Sequence, residues 1–308
     1  MKSPVDGVLV VDKPAGPTSH DIVDRVRRAL GVRRVGHTGT LDPFATGVLP
    51  VCVGRATRLA RFLAEGEKVY EATVRLGFAT ATDDVMGEPL HPPRAVAFSP
   101  PELEAACRGL RGEIRQVPPA FSAKRLEGRR LYELARRGAA VERRAVPVSV
   151  HALEVRQTAG DRVSLLVRCS SGTYVRALAR DLGEALGCGG HLVELRRTFA
   201  GGFDLARSVP GDALGPEARD LLIPLRECLG ELPAVHVTEE GERALKHGRD
   251  LPRGLTASGF PGTRPPDRVR LLDAEGELLA LAVPQGFGLD LPGLPLEPVL
   301  HPDVVLVG

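Results

Sequence analysis

The hydrophobic pattern changes period several times along the chain. "GVLVVDKP" opens with a five-residue apolar run stopped by Pro14, which predicts a short buried strand. In "TSHDIVDRVRRALG", Ile22, Val23, Val26 and Leu30 share one helical face. Thr18 or Ser19 can cap that helix and Gly31 can close it. "VLPVCVG" predicts a strand and "RATRLARFLAEG" a helix. "KVYEATVRLG" alternates, with Tyr70, Ala72, Val74 and Leu76 on one strand face. "SPPELEAACRGLRG" predicts a capped helix, and "QVPPAFSAKRLEGRRLYELARRG" is proline-led, then basic and helical. "VPVSVHALEV" and "RVSLLVRCS" predict adjacent strands, "SGTYVRALARDLGEALG" a helix and "HLVELRRTFAGGF" a strand. Helices and strands mix without strict alternation, so the expected class is α+β.

The character changes near "RECLGELPAVHV". Beyond it come one short helix, "TEEGERALKHG", and Pro/Gly-rich loops with short strands. The "DAEGE" turn lies between two apolar runs and signals a hairpin. This predicts two domains, residues 1–232 and a small β-rich unit over 233–308. There is no internal repeat.

The 308 residues are 43% hydrophobic, enough for a sizeable core. No apolar run reaches membrane-spanning length, and the N-terminal patch is too short for a secretory signal. A soluble, cytoplasmic protein is expected. The five cysteines are odd in number and include no C-x-x-C pair, so free buried thiols are expected rather than disulfides or zinc.

Net charge is only +2, but 36 of the 41 basic residues are arginine. A GC-rich genome would give that bias, and so would phosphate recognition. The distribution separates the two readings. Between Arg108 and Arg144 there are eleven basic residues against four glutamates, a local +7. From Pro233 onward there are seven basic and eleven acidic residues. Such unevenness points to a polyanion touching one region.

The sequence contains no Walker loop, dinucleotide fingerprint, H-E-x-x-H or G-x-S-x-G. It does contain "GHTGTLDPFATGVLP", in which Asp42 is the only acid among glycines, threonines and apolar residues. Gly36, Gly39 and Gly47 permit tight turns and close ligand approach. Two readings of Asp42 are open: a turn-capping side chain, or a carboxylate held in one pose for attack. A carboxylate in a dry cleft needs a cation to remain ionised. Arg176, early in its helix, could supply one as a bidentate partner. Tyr70 reads either as core or as a face on which an extruded base stacks.

Taken together, "DKPAGPTS", "GHTGTLDPFATGVLPVCVG", "KVYEATVRLG", "QVPPAFSAKRLEGRRLYELAR" and "SSGTYVRALARDLG" resemble the TruB-type tRNA pseudouridine synthases, in their bacterial stand-alone form. The ordered match runs from about residue 5 to 205, and the tail is similar to a PUA domain. The resemblance implies a catalytic domain with a central, mostly antiparallel sheet. It implies conversion of the T-loop uridine, position 55 of tRNA, to pseudouridine, with no cofactor or metal. The expected partner is the tRNA T stem-loop, bound by a monomer without protein partners or membrane.

The same resemblance assigns residues. Asp42 is the catalytic aspartate, Tyr70 the tyrosine packed on the target base, and Arg176 the arginine paired with the aspartate. Leu195 lines the uracil pocket. His37 fills the gap left by the flipped nucleotide, with Thr38 beside it. The basic segment at about 116–144, including Lys124, Arg129 and Arg130, corresponds to the insertion that closes over the T loop. One departure stands out: where the family shows T-D-T-x-D-x-x-G, this chain reads "TATDDVMG", with Ala81 in place of the first acid and Asp84 in the second position. An RNA-guided pseudouridine synthase and a tRNA-folding protein on the same fold are the alternative functions.

Overall fold

The computed structural model describes residues 5–120, 125–126, 129–130, 143–287, 290–291, 294–295 and 297–307. Strand β1 (Gly7–Lys13) is buried along almost its whole length. Helix α1 (Ser19–Leu30) begins with a capping box in which Thr18 and Asp21 satisfy each other's backbone N–H. It ends at Gly31, whose φ of 65° is the left-handed value glycine tolerates best. Next come β2 (Val35–His37) and β3 (Thr46–Val53). The single helix expected from "RATRLARFLAEG" is instead a 3₁₀ stretch (Gly54–Leu59) leading into the short α2 (Ala60–Glu65). No side chain caps its start, and the Thr57 hydroxyl donates back to the Gly54 carbonyl, which favours the tighter turn.

Strand β4 (Lys68–Leu76) alternates as expected, with Tyr70, Ala72, Val74 and Leu76 turned inward. Helix α3 (Pro100–Arg108) is capped by Ser99 and Glu102, and β5 (Gly112–Gln116) follows. In the basic segment, β6 (Arg125–Leu126) pairs antiparallel with β7 (Arg129–Arg130). This hairpin replaces the expected helix there. The rest of the expected helix lies outside the described residues.

Strands β8 (Val146–Ala159) and β9 (Arg162–Cys169) pair with each other as predicted. Helix α4 (Val175–Ala185) and β10 (Gly190–Ala200) follow, then the short β11 (Phe203–Asp204) and β12 (Ser208–Pro210). These strands form one ten-stranded sheet in the order β12-β1-β3-β10-β4-β9-β8-β5, with β2 on β3 and β11 on β10. Only the β1–β12 and β3–β10 pairs are parallel, so the sheet is mostly antiparallel. The α+β expectation holds.

A second sheet of six strands follows. It comprises β13 (Ala234–Val237), β14 (Leu251–Pro252), β15 (Thr256–Ser258), β16 (Val269–Leu272), β17 (Leu278–Gln285) and, after a small hairpin of β18 (Asp290–Leu291) and β19 (Leu294–Pro295), β20 (Val299–Val305). Helix α5 (Glu239–Lys246) packs beside it. The predicted hairpin is β16–β17, and the Asp273 carboxylate accepts from the Glu275 and Glu277 N–H groups in its turn.

The large sheet buries both faces at its β1–β3 end. Leu9, Val11, Leu49 and Val51 join the core that includes α1 and α4. Val8, Val10, Val48 and Cys52 face the other way, onto Phe62, Phe203, Leu278, Leu281 and Leu306. That second core joins the two sheets, and it explains why β1 reads as a continuous apolar run instead of alternating. Each such side chain contributes about 1.5–3 kcal/mol through burial. At the seam, Arg55 donates to the Leu306 carbonyl at 3.0 Å, and Arg61 and Arg268 both pair with Asp303. The cysteines are free; four are buried and Cys188 is half-buried. Among the described residues no helix is long and apolar enough to cross a membrane.

Candidate active site

The loop carrying Asp42 is fastened on both flanks. Ser19 Oγ donates to the Leu41 carbonyl at 3.1 Å and accepts from the Leu41 N–H at 2.8 Å. Lys13, completely buried, extends its ammonium to the carbonyls of Pro14, Pro43 and Ala45 at 2.9, 3.1 and 2.7 Å. All three of its donors are thereby used. Gly47 has φ 102°, and a Cβ there would sit 2.1 Å from the Arg197 carbonyl oxygen, so only glycine fits.

The Asp42 backbone does form a turn, its carbonyl accepting from Ala45 N–H at 3.1 Å. Its carboxylate points elsewhere: Arg176 Nη2 donates to Oδ1 at 3.0 Å. Arg176 is buried, and its Nη1 reaches Asp84 Oδ2 and the Thr82 carbonyl, each at 3.2 Å. Asp84 is held in turn by the Thr82 hydroxyl at 2.5 Å and the Met86 N–H at 3.0 Å. The guanidinium is thus fixed between two carboxylates from different loops. Burial pushes the Asp42 carboxyl above the usual carboxylate range, and the Arg176 charge opposes that rise.

Asp42 and Arg176 border a cleft of about 240 Å³, whose walls also include Tyr70, Tyr174, Leu195 and Arg197. Tyr70 is 6% exposed, and burial raises its phenol pKa, so it presents a neutral ring. Leu195 adds an apolar side chain. The cleft thus has an aromatic ring and an apolar side chain on its wall, cationic side chains around them and, among the described residues, one carboxylate.

The structure brings together Asp42, Tyr70, Arg176 and Leu195. His37 is half-buried at the end of β2, away from the cleft wall; its Nδ1 accepts from Gly39 N–H at 3.3 Å, and burial lowers its pKa. Thr38 is buried, with its N–H on the Pro50 carbonyl at 3.1 Å; Gly39 and Thr40 line the cleft instead. Lys124 and most of the basic segment lie outside the described residues. Arg129 and Arg130 are described only as part of the β6–β7 hairpin. Ala81 is exposed, so an acid there would face solvent, while neighbouring Asp83 pairs with Arg180 at 3.0 Å.

Two cleft cations escaped the sequence reading. Arg197 is 1% exposed and donates to the Val48 and Gly39 carbonyls at 2.7 and 3.0 Å. Lys68 donates to the Ala64 and Gly66 carbonyls at 2.8 and 3.0 Å, and burial lowers its pKa to about 8. The two-residue strand period held the signal: Lys68 shares a face with Tyr70, and Arg197 with Leu195.

The chain that carries this cleft is similar in sequence and fold to known proteins. The TruB family pseudouridylate synthase N-terminal domain matches residues 27–175, and the tRNA pseudouridylate synthase B C-terminal domain matches 176–226. A tRNA pseudouridine synthase B from Solibacter usitatus is 44% identical over 98% of this chain and all of its own length. One from Thermobifida fusca is 47% identical over 90% of this chain and 94% of its own. Among solved structures, a Cbf5-Nop10-Gar1 complex contains a chain with a TM-score of 0.73 and 28% identity, covering 98% of this chain and 85% of that one. An H/ACA RNP bound to a substrate RNA gives a TM-score of 0.72 at 26% identity, over 98% and 85% of the two chains. The chain belongs to the TruB family of pseudouridylate synthases.

Proposed function

We propose that this protein isomerises a uridine of tRNA to pseudouridine, that its target is the T-loop uridine at position 55, and that Asp42 is the catalytic carboxylate. The observation that carries the residue assignment is the 3.0 Å Asp42–Arg176 pair on a cleft walled by Tyr70 and Leu195. The relatives named above carry the tRNA substrate.

The reaction breaks the N1–C1′ bond, turns the uracil and forms a C5–C1′ bond. N1 gains a proton and C5 loses one, so atoms and electrons balance within the substrate. An ionised Asp42 serves attack at C1′, removal of the C2′ proton or addition at C6 alike. Arg176 keeps that charge available. A base must leave its stack to reach Asp42, which costs a few kcal/mol. Tyr70 offers the flipped base a ring face and Leu195 an apolar edge. His37 would occupy the gap left in the RNA. Lys124, Arg129 and Arg130 would contact the T-loop backbone, in keeping with the local positive charge.

In this reading residues 1–232 are the catalytic domain and 233–308 a PUA-like RNA-binding domain. The protein acts as a cytoplasmic monomer. The fold it shares with Cbf5 favours one second reading, an RNA-guided enzyme working with partner proteins. A guide-free mixture of purified protein and unmodified tRNA transcript tests both, with pseudouridine mapped by carbodiimide adducts and primer extension. A single stop reporting the T-loop uridine, lost in Asp42→Asn, supports the stand-alone reading. Binding without modification supports the guided one.

A further inference from the structure

Gln116 is the last residue of β5, at the root of the basic segment, and its side chain is completely buried. A buried primary amide must find partners for both its donor and its acceptor. Gln116 finds them on a single residue: Nε2 donates to the Tyr174 carbonyl at 3.0 Å, and Oε1 accepts from the Tyr174 N–H at 2.8 Å. A side chain thus reproduces the double pairing that a neighbouring strand would make.

Tyr174 occupies a critical place. It is the N-cap of α4, with extended backbone at φ −101° and ψ 109°, and its own side chain makes no capping bond. Its carbonyl also accepts the first helical bond, from Leu178 N–H at 3.1 Å. Gln116 therefore holds the start of α4 from outside the helix. Arg176 is the second residue of that helix, and Gly172 to Arg176 form one continuous wall of the cleft. One turn further on, Arg180 donates to the carbonyl of Val117, the residue after Gln116, at 3.0 Å. Two successive residues at the end of β5 are thus tied to two successive turns of α4, which resists both sliding and rotation of the helix.

We infer that Gln116 is a positioning residue for the isomerisation: its amide sets the first peptide of α4, and through it the reach of Arg176 to Asp42. The inference rests on the roles given to Asp42 and Arg176 above. Both Arg176 contacts to carboxylates lie at hydrogen-bond distance, 3.0 and 3.2 Å, so a small displacement of the helix start breaks one of them. A displacement of about 1 Å in a catalytic constellation can cost ~10²-fold in rate.

The test uses Gln116→Met, which keeps the length and volume and removes the amide. Single-turnover rate, tRNA affinity, the pH–rate profile and thermal melting are measured together. The expected result is a rate lower by about ten- to a hundred-fold, with tRNA affinity unchanged. The acid limb should move to higher pH as the hold of Arg176 on Asp42 relaxes. A wild-type rate, or a rate loss matched by the unfolded fraction with the acid limb unmoved, would overturn the inference. Should Gln116→Met not fold, Gln116→Glu carries the same readouts, since it retains the acceptor for Tyr174 N–H and loses the donor. Wild type and Asp42→Asn run alongside: an inactive wild type sinks the functional reading and this inference with it, whereas an active wild type beside an insensitive Gln116→Met overturns the positioning role alone.

Discussion

The Arg176 guanidinium lies 3.0 Å from the Asp42 carboxylate, although 134 positions separate the two residues in the chain. The pair borders the cleft, and Arg176 opposes the rise that burial imposes on the Asp42 carboxyl.

Replacing Asp42 with Asn should remove turnover and leave tRNA affinity nearly intact. Asn keeps the volume and loses the negative charge that each possible role of Asp42 requires. A positioned acid–base group contributes about 10²–10⁴-fold, so the loss should be at least that large. Single-turnover assays with a parallel binding titration check it; turnover near wild type would refute the assignment.

Activity should fall on the acid side at a pH above the ordinary carboxylate value of 3.8, because burial raises the Asp42 pKa and the reaction needs the ionised form. Arg176 opposes that rise, so Arg176→Gln should move the acid limb higher still. The linkage to stability has a definite sign. A carboxyl whose folded pKa exceeds its unfolded one binds protons more tightly in the folded state. Its contribution to stability therefore declines as pH rises from 3.8 through the raised value. In difference melts against wild type, Asp42→Asn should gain relative stability across that window as pH rises.

Asp84→Asn should weaken the fold as well as the rate. The Asp84–Arg176 pair is buried, with both side chains 6% exposed. Removing one charge leaves the other only partly compensated, at a cost of about 2–3 kcal/mol. Denaturant titration reads the stability change, and an unchanged midpoint would mean that Arg176 is held without the Asp84 charge.

Ala81→Asp, which restores the acid of the family pattern, should change stability by less than about 0.5 kcal/mol and leave turnover unaltered, because position 81 is exposed. A rate change in the single-turnover assay would show that this surface turn touches the RNA.

Neutralising Arg129, Arg130, Arg136 and Arg137 together should weaken tRNA binding and flatten its dependence on salt. Each lost phosphate contact lowers the log–log slope by about 0.7–0.9. An unchanged slope in a salt titration of affinity would remove this segment from the interface.

Local pattern determined much of this protein. The apolar alternation of β4 requires its Tyr70 face to turn inward, because a strand's side chains alternate strictly. Thr18, Asp21 and Gly31 bound α1 because caps satisfy backbone groups within a few residues of themselves. Asp273 and the turn after it specify the β16–β17 hairpin for the same reason. The composition of the "GHTGTLDPFATG" loop singled out Asp42 but left a turn-capping and a catalytic reading both open. Other features were decided only in three dimensions. Whether the Asp42 side chain capped its own turn or faced a cation depended on where α4 docks against β10 and β4. The burial of Arg197 follows from the convergence of β3 and β10, where the distant Val48 and Gly39 carbonyls supply its partners. Lys68 finds its carbonyls within four residues, and only its burial is decided by the packing around it. The joining of the two sheets through Val8, Leu281 and Leu306 is equally non-local. Periodicity and capping act over a few residues, so the sequence alone determines each element and the face it buries. A cleft depends on how distant elements meet, and packing of the whole chain decides that.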